Sequence, residues 1–372
     1  MWYWSTYCLF LFALLISYVC LKYYDIYKTR ERIIYLLMGL LPTFLLMALR
    51  GKDVGNDLAN YADNVENTRY FFIDDVTLTF SEPFFSIIYW ISYIMGGLRF
   101  FIISTSFLEY FFLFIALRTF HKHKLDVRLI FILFFAVVSI RSFSMVRNGV
   151  AIACSLCAYA NLLDASISSR RKYWFYTILS IGFHNTALIN IPVYLICNPI
   201  SEKVRHYKMH LFFRISVIIV FSVFSFVLAK SDFIDIFYTI NEGKYASFEI
   251  GEGSGWGNLF IRLPFLVLVI VLFRLLYKEH GRKVLPFVLL VCFDVVVAQF
   301  KYINQNFERF SMLTGLGEVI LLSMICMALT KRYGAYYKIL FLFVGLIYFT
   351  YYMYRWAIIS EYGIMPYTIW SK

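Results

Sequence analysis

The stretch IIYLLMGLLPTFLLMAL, residues 33–49, decides the class of protein. It carries no charged side chain, and about 20 such residues in a helix cross the hydrocarbon core of a bilayer. Similar runs recur along the 372-residue chain, which is 61% hydrophobic and only 16% charged, with a mean hydropathy of +0.70. Soluble domains are closer to half apolar and a quarter charged. The sequence therefore predicts an all-α polytopic membrane protein.

The apolar runs place the membrane-spanning helices. We expect spans near residues 5–22, 33–49, 98–117, 129–146, 147–163, 211–229, 258–277, 284–300, 310–329 and 339–354. Two further segments, 83–97 and 173–196, begin and end on the same side in this scheme and predict helical hairpins or re-entrant segments. The expectation is about 10–12 transmembrane helices in a single integral membrane domain, residues 1–372, with external loops near 50–82 and 230–257.

The net charge of +12 reflects topology. More than half of the Lys and Arg fall in short clusters, at residues 22–32, 118–128, 170–172, 203–208, 274–283 and 331–338. Short basic loops stay in the cytoplasm. The two loops that carry more acids than bases, 50–82 and 230–257, are then external. A basic balance of this kind predicts a membrane protein and no nucleic-acid partner.

One predicted span and one predicted re-entrant segment are interrupted by polar residues at a similar distance from cytoplasmic loops. The apolar stretch 129–140 ends at Arg141, and the stretch 173–183 ends at His184. Both helices rise roughly 17 Å at 1.5 Å per residue, short of the ~30 Å core. Polar groups there need water, partners or a substrate, so we expect a cavity open to the outside. Glu109 and Asp294 lie in the middle of helices, where we expect buried pairs or hydrogen bonds to neighbouring helices, with a proton path as the alternative.

Six motifs occur in order along the chain, and together they resemble the EpsG-like branch of the Wzy-type polysaccharide polymerases. They are RGKDVGNDLANY (50–61), SEPFF (81–85), SIRSFSMVRNGVAIACSLCAYA (139–160), GFHNTALINIPVY (182–194), NFERFSMLTGLGEVILL (306–322) and MPYTIW (365–370).

The resemblance implies a GT-C-like fold and an inverting glycosyltransferase. Such an enzyme transfers a growing glycan from undecaprenyl diphosphate onto a new lipid-linked repeat unit at the outer face of the bacterial inner membrane, making O-antigen or a similar surface polysaccharide. A Wzz-type chain-length co-polymerase is the implied protein partner, beside membrane lipid. Two alternatives remain, a flippase or transporter for lipid-linked sugars and an O-antigen ligase-type transferase.

Arginine is well suited to bind a diphosphate leaving group, because its planar guanidinium donates paired hydrogen bonds to phosphate oxygens and stays protonated. Among the arginines that this topology places outside, we expect Arg141, Arg147, Arg309 and Arg50 to bind the diphosphate, and Arg147 to act in catalysis.

The acceptor hydroxyl needs a base within hydrogen-bond reach. His184 is the only histidine embedded among apolar residues, and Asp57 and Asp53 are the rival bases. Asp53, Asn56, Tyr61 and Glu82 are the expected sugar-binding residues. We expect neither cofactor nor metal, because the donor carries its own activated leaving group and Cys154 and Cys157 form a CxxC without a second ligand pair.

Overall fold

The structure, a computed structural model, describes residues 2–26, 31–74, 82–201, 204–229, 256–299, 308–358 and 363–370. Nearly all of these residues are helical, and within them the only strand-like pairing is a single antiparallel bridge between Arg50 and Ile369. The prediction of an all-α polytopic membrane protein is confirmed.

The helices are numbered here in chain order. The first eight are α1 (Trp2–Ile26), α2 (Arg32–Ala48), α3 (Leu58–Asp74), α4 (Pro83–Met95), α5 (Gly97–Lys122), α6 (Val127–Phe134), α7 (Ile140–Ser142) and α8 (Val146–Ala160). The others are α9 (Ile167–Phe183), α10 (Asn190–Cys197), α11 (Tyr207–Ala229), α12 (Trp256–His280), α13 (Leu285–Val297), α14 (Glu308–Thr314), α15 (Leu316–Tyr333) and α16 (Tyr336–Tyr352). Most begin and end within a few residues of the predicted spans.

Six stretches of the described chain are long and apolar enough to cross a bilayer by themselves. They are Trp4–Ile26, Gly97–Lys122, Val146–Leu163, Phe260–Val297, Glu308–Tyr333 and Tyr336–Arg355. Shorter apolar helices cover Arg32–Ala48, Pro83–Met95 and Asn185–Cys197. The expected external loop at 230–257 lies almost wholly outside the described residues, as do residues 75–81 of the loop at 50–82.

The predicted span 129–146 is two short helices joined by a π-helical turn at Phe135–Ser139. Asp126 caps the start of α6, because its side chain accepts hydrogen bonds from the amides of Arg128 (3.0 Å) and Leu129 (3.4 Å). The α7 helix ends at Ser142, directly after Arg141, as the polar interruption predicted. A turn at residues 143–145 then leads into α8.

The two segments predicted as hairpins differ from each other. The α4 helix is unbroken, so residues 83–97 form no hairpin by themselves. Instead Gly96 (φ 148°) and Gly97 (φ 65°) take backbone angles that only glycine adopts readily, and they turn the chain directly into α5. Within 173–196 the helix is interrupted at His184, where α9 gives way to a 3₁₀ turn at Asn185–Ile189 and then to α10.

The chain divides into two compact units. Unit 1 contains Met1–Asn161, Arg171–Leu188 and Leu329–Lys372, and unit 2 contains Leu162–Arg170 and Ile189–Ala328. Glycines bring helices together within each. In unit 1 a Cβ at Gly39 of α2 would lie 2.8 Å from Leu21 of α1, and in unit 2 a Cβ at Gly317 would lie 2.9 Å from Leu290. Small residues of this kind allow the close helix contacts typical of membrane proteins.

The acids in the middle of helices are hydrogen-bonded, as predicted. In unit 2 Asp294 accepts hydrogen bonds from Arg262 Nε (2.7 Å), Ser311 Oγ (3.0 Å) and Thr314 Oγ1, while Arg262 Nη2 donates to Ser311 Oγ (2.6 Å). In unit 1 Glu109 accepts a hydrogen bond from Ser139 Oγ (2.8 Å), the last residue of the π-helical turn.

Candidate functional site

Three helix ends meet in unit 1, namely the start of α4, the start of α8 and the end of α9. Gly182 of α9 lies so close to the ring of Phe84 that a Cβ there would clash with it. Thr186 donates a hydrogen bond to Asn148 (3.2 Å), which links the turn after α9 to the first turn of α8. The polar side chains at these three ends therefore face a common region.

Glu82 lies between the other two helix ends and contacts both of them. It precedes α4 with non-helical angles (φ −142°, ψ 69°), and its carbonyl accepts hydrogen bonds from the amides of Phe85 and Ser86, both at 3.1 Å. Pro83 occupies the first helical position, where a missing amide hydrogen costs nothing. The Glu82 side chain makes no capping hydrogen bond, so its carboxylate is available to the neighbouring helices.

One oxygen of that carboxylate binds His184. The histidine follows the last residue of α9, and its amide still donates to Ser180 O (2.9 Å), so the break in the helix comes just after it. Its Nδ1 forms a hydrogen bond with Glu82 Oε1. In a neutral imidazole this bond places the proton on Nδ1 and the lone pair on Nε2, the arrangement that a general base requires.

The other oxygen of Glu82 binds Arg147, in the first turn of α8. Arg147 Nη1 lies 2.6 Å from Glu82 Oε2, and its guanidinium carbon lies 5.9 Å from the ring centroid of Tyr61. The side chain of Arg147 is 34% exposed, whereas those of Glu82 and His184 are about one-tenth exposed. Arg147 is thus the member of the group that an incoming anion reaches first.

The environment keeps Glu82 ionised. Burial opposes its charge, but the hydrogen bond and charge of His184 and the charge of Arg147 outweigh that effect, so the pKa of Glu82 falls below its ordinary value of 4.5. A negative Glu82 neutralises one of its two partners. The group therefore becomes net positive when His184 takes up a proton.

The stretch at 50–61 lies beside this group, through the turn that precedes Arg147. Gly55 has φ +117°, and a Cβ there would collide with the carbonyl of Phe143, so the glycine is needed both for its backbone angle and for the close approach. The amide of Asp57 donates to Ser144 Oγ (3.2 Å). Asp57 is half-buried at this contact, while Tyr61, one turn further along α3, reaches Arg147.

Asp53 and Asn56 lie against a different part of unit 1, the segment 363–370, which we call the clasp. Thr368 Oγ1 donates to Asp53 Oδ1 (2.7 Å), the amide of Gly55 donates to Gly363 O (2.9 Å), and the Asn56 side chain lies close to Gly363. The expected sugar-binding residues are therefore split, with Glu82 and Tyr61 beside Arg147 and with Asp53 and Asn56 at the clasp.

Two of the expected diphosphate-binding arginines are buried in unit 1. Arg141 is 6% exposed, and its guanidinium carbon lies 5.5 Å from the ring of Tyr352. Arg50 is fully buried. Burial lowers the pKa of Arg50 to about 10, against the opposing effect of the Glu109 charge, so Arg50 stays protonated at neutral pH.

Arg309, the fourth expected phosphate ligand, belongs to unit 2. It lies in the first turn of α14 and is half-buried. Its role toward a diphosphate stays a prediction.

The contacts of Glu82 with His184 and Arg147 had no signal in the sequence. As an acid next to a proline after an external loop, Glu82 indicated sugar binding. Its two partners lie 65 and 102 residues further along the chain, so no local pattern reveals the pairing. Tyr89, nearly two turns further along α4, is a second residue without a sequence signal, and it lies close enough to Arg147 for the two to interact electrostatically.

The described residues contain no group of three or more His, Cys, Asp or Glu side chains that could hold a metal ion. Cys154 and Cys157 are both buried, and their thiols donate to the carbonyls of Tyr176 (3.3 Å) and Phe112 (3.0 Å) respectively. Both cysteines therefore pack between helices of unit 1.

Fold and site together define a polytopic helical membrane protein with a buried carboxylate–histidine pair beside a partly exposed arginine. The chain belongs to the EpsG family, whose model matches residues 32–369. No curated protein and no solved structure matches it. Membership indicates a membrane protein of polysaccharide biosynthesis.

Proposed function

We propose that the protein is a polysaccharide polymerase, an inverting glycosyltransferase that moves a growing glycan from undecaprenyl diphosphate onto the terminal sugar of a new lipid-linked repeat unit. The observation that carries the proposal is that one carboxylate, Glu82, binds both a histidine and an arginine. The first partner suits proton removal and the second suits a diphosphate. Glycosyl transfer from a lipid diphosphate needs both at one place.

His184 is the proposed general base. The acceptor hydroxyl gives its proton to Nε2 of His184 while its oxygen attacks the anomeric carbon of the donor sugar. Glu82, bound at Nδ1, stabilises the imidazolium that forms and holds the ring in one orientation. Because Glu82 contacts the histidine, we assign it as a positioning residue.

Arg147 is the proposed ligand of the leaving group. As the glycosidic C–O bond breaks, the electron pair stays on the bridging oxygen and undecaprenyl diphosphate departs with an additional negative charge. A guanidinium already held in place by Glu82 and Tyr61 stabilises that charge without reorganising, which is the usual source of electrostatic catalysis. Attack on one face and departure from the other invert the anomeric centre.

The other predicted residues take supporting roles in this proposal. Asp57 is the alternative base, because its backbone is fixed to the turn that leads to Arg147. Asp53, Asn56 and Tyr61 offer hydrogen bonds to sugar hydroxyls. Arg141, Arg309 and Arg50 are further phosphate ligands for the two lipid-linked substrates.

The proposed location is the bacterial inner membrane, with the site facing the periplasm. The basic loops support this orientation, since the ends of α4, α8 and α9 that form the site lie away from them. A Wzz-type chain-length co-polymerase is the proposed protein partner, and O-antigen or a similar surface polysaccharide is the proposed product.

The test is the polymer ladder made by a deletion strain that carries the wild-type gene or a variant. His184→Ala and Glu82→Gln should both shorten the ladder to a single repeat unit at matched membrane expression. His206→Ala is the matched control, because it removes an exposed histidine from a basic loop.

The pattern of loss separates the three functions. Loss of a polymerase leaves one repeat unit on the final acceptor. A strain without ligase or flippase activity leaves none, and that result in the deletion strain would contradict the proposal. Normal ladders from His184→Ala would remove the histidine from the mechanism and move the base to Asp57.

A further inference from the structure

Arg50 is buried in a way that this fold does not compensate. It is 0% exposed, and none of its three guanidinium nitrogens has a hydrogen-bond partner among the described residues. Its guanidinium carbon lies 5.1 Å from the ring centroid of Phe143, a cation–π contact that offsets part of the lost hydration. Burying a charge without hydrogen bonds raises the free energy of the folded state, so the position of Arg50 in this structure is electrostatically unfavourable.

The nearest carboxylate does not remove this cost. Glu109 is also fully buried and interacts with Arg50 electrostatically, but its Oε1 accepts from Ser139 (2.8 Å). Its Oε2 has no hydrogen-bond partner in the described part of the chain. The two charges share a region without forming a hydrogen-bonded pair. The guanidinium therefore keeps its full capacity to bind a pair of anionic oxygens.

The clasp, residues 363–370, covers Arg50. Ile369 pairs with Arg50 in the antiparallel bridge, and hydrogen bonds flank the pair, from Gly51 N to Thr368 O (2.8 Å) and from Trp370 N to Leu49 O (3.0 Å). Tyr367 lies close enough to Arg50 to influence its charge, and its hydroxyl donates to Leu46 O (2.8 Å). The clasp therefore lies directly against Arg50.

The outer end of the clasp, residues 368–370, is held by contacts at the surface of unit 1, whereas Ile364 is fully buried and Tyr367 packs against Phe10 at 5.6 Å. The Thr368–Asp53 hydrogen bond is exposed, and the Ile369 side chain is 67% exposed. At its end, Trp370 packs under the guanidinium of Arg99 at 5.2 Å. Segments with few buried contacts open at a lower free energy than the core does. The outer end of the clasp, residues 368–370, can thus separate while the helices beneath it stay folded.

We propose that the clasp is a substrate-responsive cover, whose closed form hides Arg50 and whose release presents the guanidinium to a phosphate group of a lipid-linked substrate. The inference rests on the proposed function for the identity of that substrate. A ligand shifts such an equilibrium only by the difference in its affinity for the two forms. Here the difference arises because a phosphate can satisfy the Arg50 nitrogens only in the open form.

A disulfide across the clasp tests whether release is required. Leu49 and Trp370 are directly opposite each other in the bridge region, where paired Cα atoms lie about 5.5 Å apart, within the range that a disulfide spans. Oxidised Leu49→Cys/Trp370→Cys protein should lose polymerisation at least tenfold, and reduction should restore it. The two single-cysteine variants, treated with the same oxidant, control for the seven native cysteines. Wild-type ladders from protein shown to be cross-linked would overturn the proposal.

Hydrogen exchange gives a second measurement that needs no glycosyl transfer. Purified protein is compared with and without undecaprenyl diphosphate as the probe. The amides of Gly51 and Gly55 donate hydrogen bonds to the clasp, and the amide of Trp370, within the clasp, donates to Leu49 O. These three amides should exchange several-fold faster when the probe is present. Arg50→Met should lose this response. Unchanged or slower exchange in the wild type would overturn the clasp proposal, whatever the ladder shows. If the probe speeds exchange but a strain without the gene still makes normal ladders, the polymerase assignment alone would be overturned.

Discussion

Arg147 donates a hydrogen bond from Nη1 to Oε2 of Glu82 across 2.6 Å, although the two residues are 65 positions apart in the chain. The contact joins the first turn of α8 to the residue that precedes α4. It fixes the guanidinium where it is partly exposed, and Nε of Arg147 has no hydrogen-bond partner among the described residues.

Loss of this arginine should affect the rate more than the fold. Arg147→Ala should lower polymerisation about 10² to 10³-fold, as expected for removal of a group that stabilises developing charge. Arg147→Lys keeps the charge but lacks the fork, so it should also be impaired. The measurement is ladder length at matched membrane expression, with the exposed Lys122→Ala as the neutral comparison. Full ladders from Arg147→Ala would make the residue structural and shift attention to Arg309.

Stability should depend on the ionisation of Glu82. Its pKa is lowered on folding, so ionised Glu82 stabilises the folded state fully above pH 4.5, the ordinary value of the group. That contribution should fall as the pH drops below 4.5 and should vanish below the lowered pKa of the folded state. Thermal unfolding of purified protein between pH 3 and 6, roughly the range of carboxylate titration, measures it. Glu82→Gln should show a smaller loss over the same range, and an identical loss would mean that other carboxylates dominate.

Gly55 should tolerate no side chain. Gly55→Ala must place a Cβ against the Phe143 carbonyl at φ +117°. Gly334→Ala is a matched control, because Gly334 has φ +115° but a Cβ there would meet only the Tyr336 ring at 3.5 Å. The control should cost about 1–3 kcal/mol for the unfavourable backbone alone, and Gly55→Ala should cost more and shorten the ladder. Equal unfolding temperatures for the two variants would argue against the close approach of the two chain segments.

The polar cluster of unit 2 should stabilise the fold through the pairing of Arg262 with Asp294. Asp294→Ala should destabilise the protein by up to about 3–5 kcal/mol, because it leaves a largely buried guanidinium without its carboxylate. The double variant Asp294→Ala/Arg262→Gln should recover part of that loss. A double-mutant cycle on unfolding free energies measures the coupling, and strictly additive effects would show that the two residues act independently.

The orientation of the membrane spans can be tested with two exposed positions. Asn60→Cys, in α3, should react with an impermeant thiol reagent in intact spheroplasts, whereas Lys122→Cys should not. Wild-type protein with its seven cysteines provides the background. Labelling at position 122 alone would invert the topology and place the Glu82 group on the cytoplasmic side.

The sequence contained most of the helical architecture. Apolar runs long enough to cross a bilayer located α2, α5 and α16 to within a few residues, because burial in lipid leaves little freedom in composition. The helix ends at Arg141 and His184 were also predictable, since a polar residue inside an apolar run needs a partner or a break.

The contacts that form the site were not predictable in the same way. Glu82 meets His184 because three helix ends converge, and the clasp meets residues 49–55 across more than 300 positions of sequence. Contacts of this kind depend on how helix ends pack in three dimensions. Neither hydrophobic periodicity nor local helix propensity predicts such contacts. The order of the motifs therefore identified candidate residues but not the residues that they contact.

The π-helical turn at Phe135–Ser139 sets the angular position of everything that follows it in its span. Such a turn closes its hydrogen bonds five residues apart instead of four, and so it takes up one residue more than a regular α-helix. One residue of an α-helix corresponds to about 100° of rotation. Deleting a single apolar residue from this turn would leave hydropathy almost unchanged, yet it would rotate Arg141 and the residues after it relative to Phe135, whose ring lies 6.2 Å from that of Phe10. In this span, residue count carries structural information that composition does not.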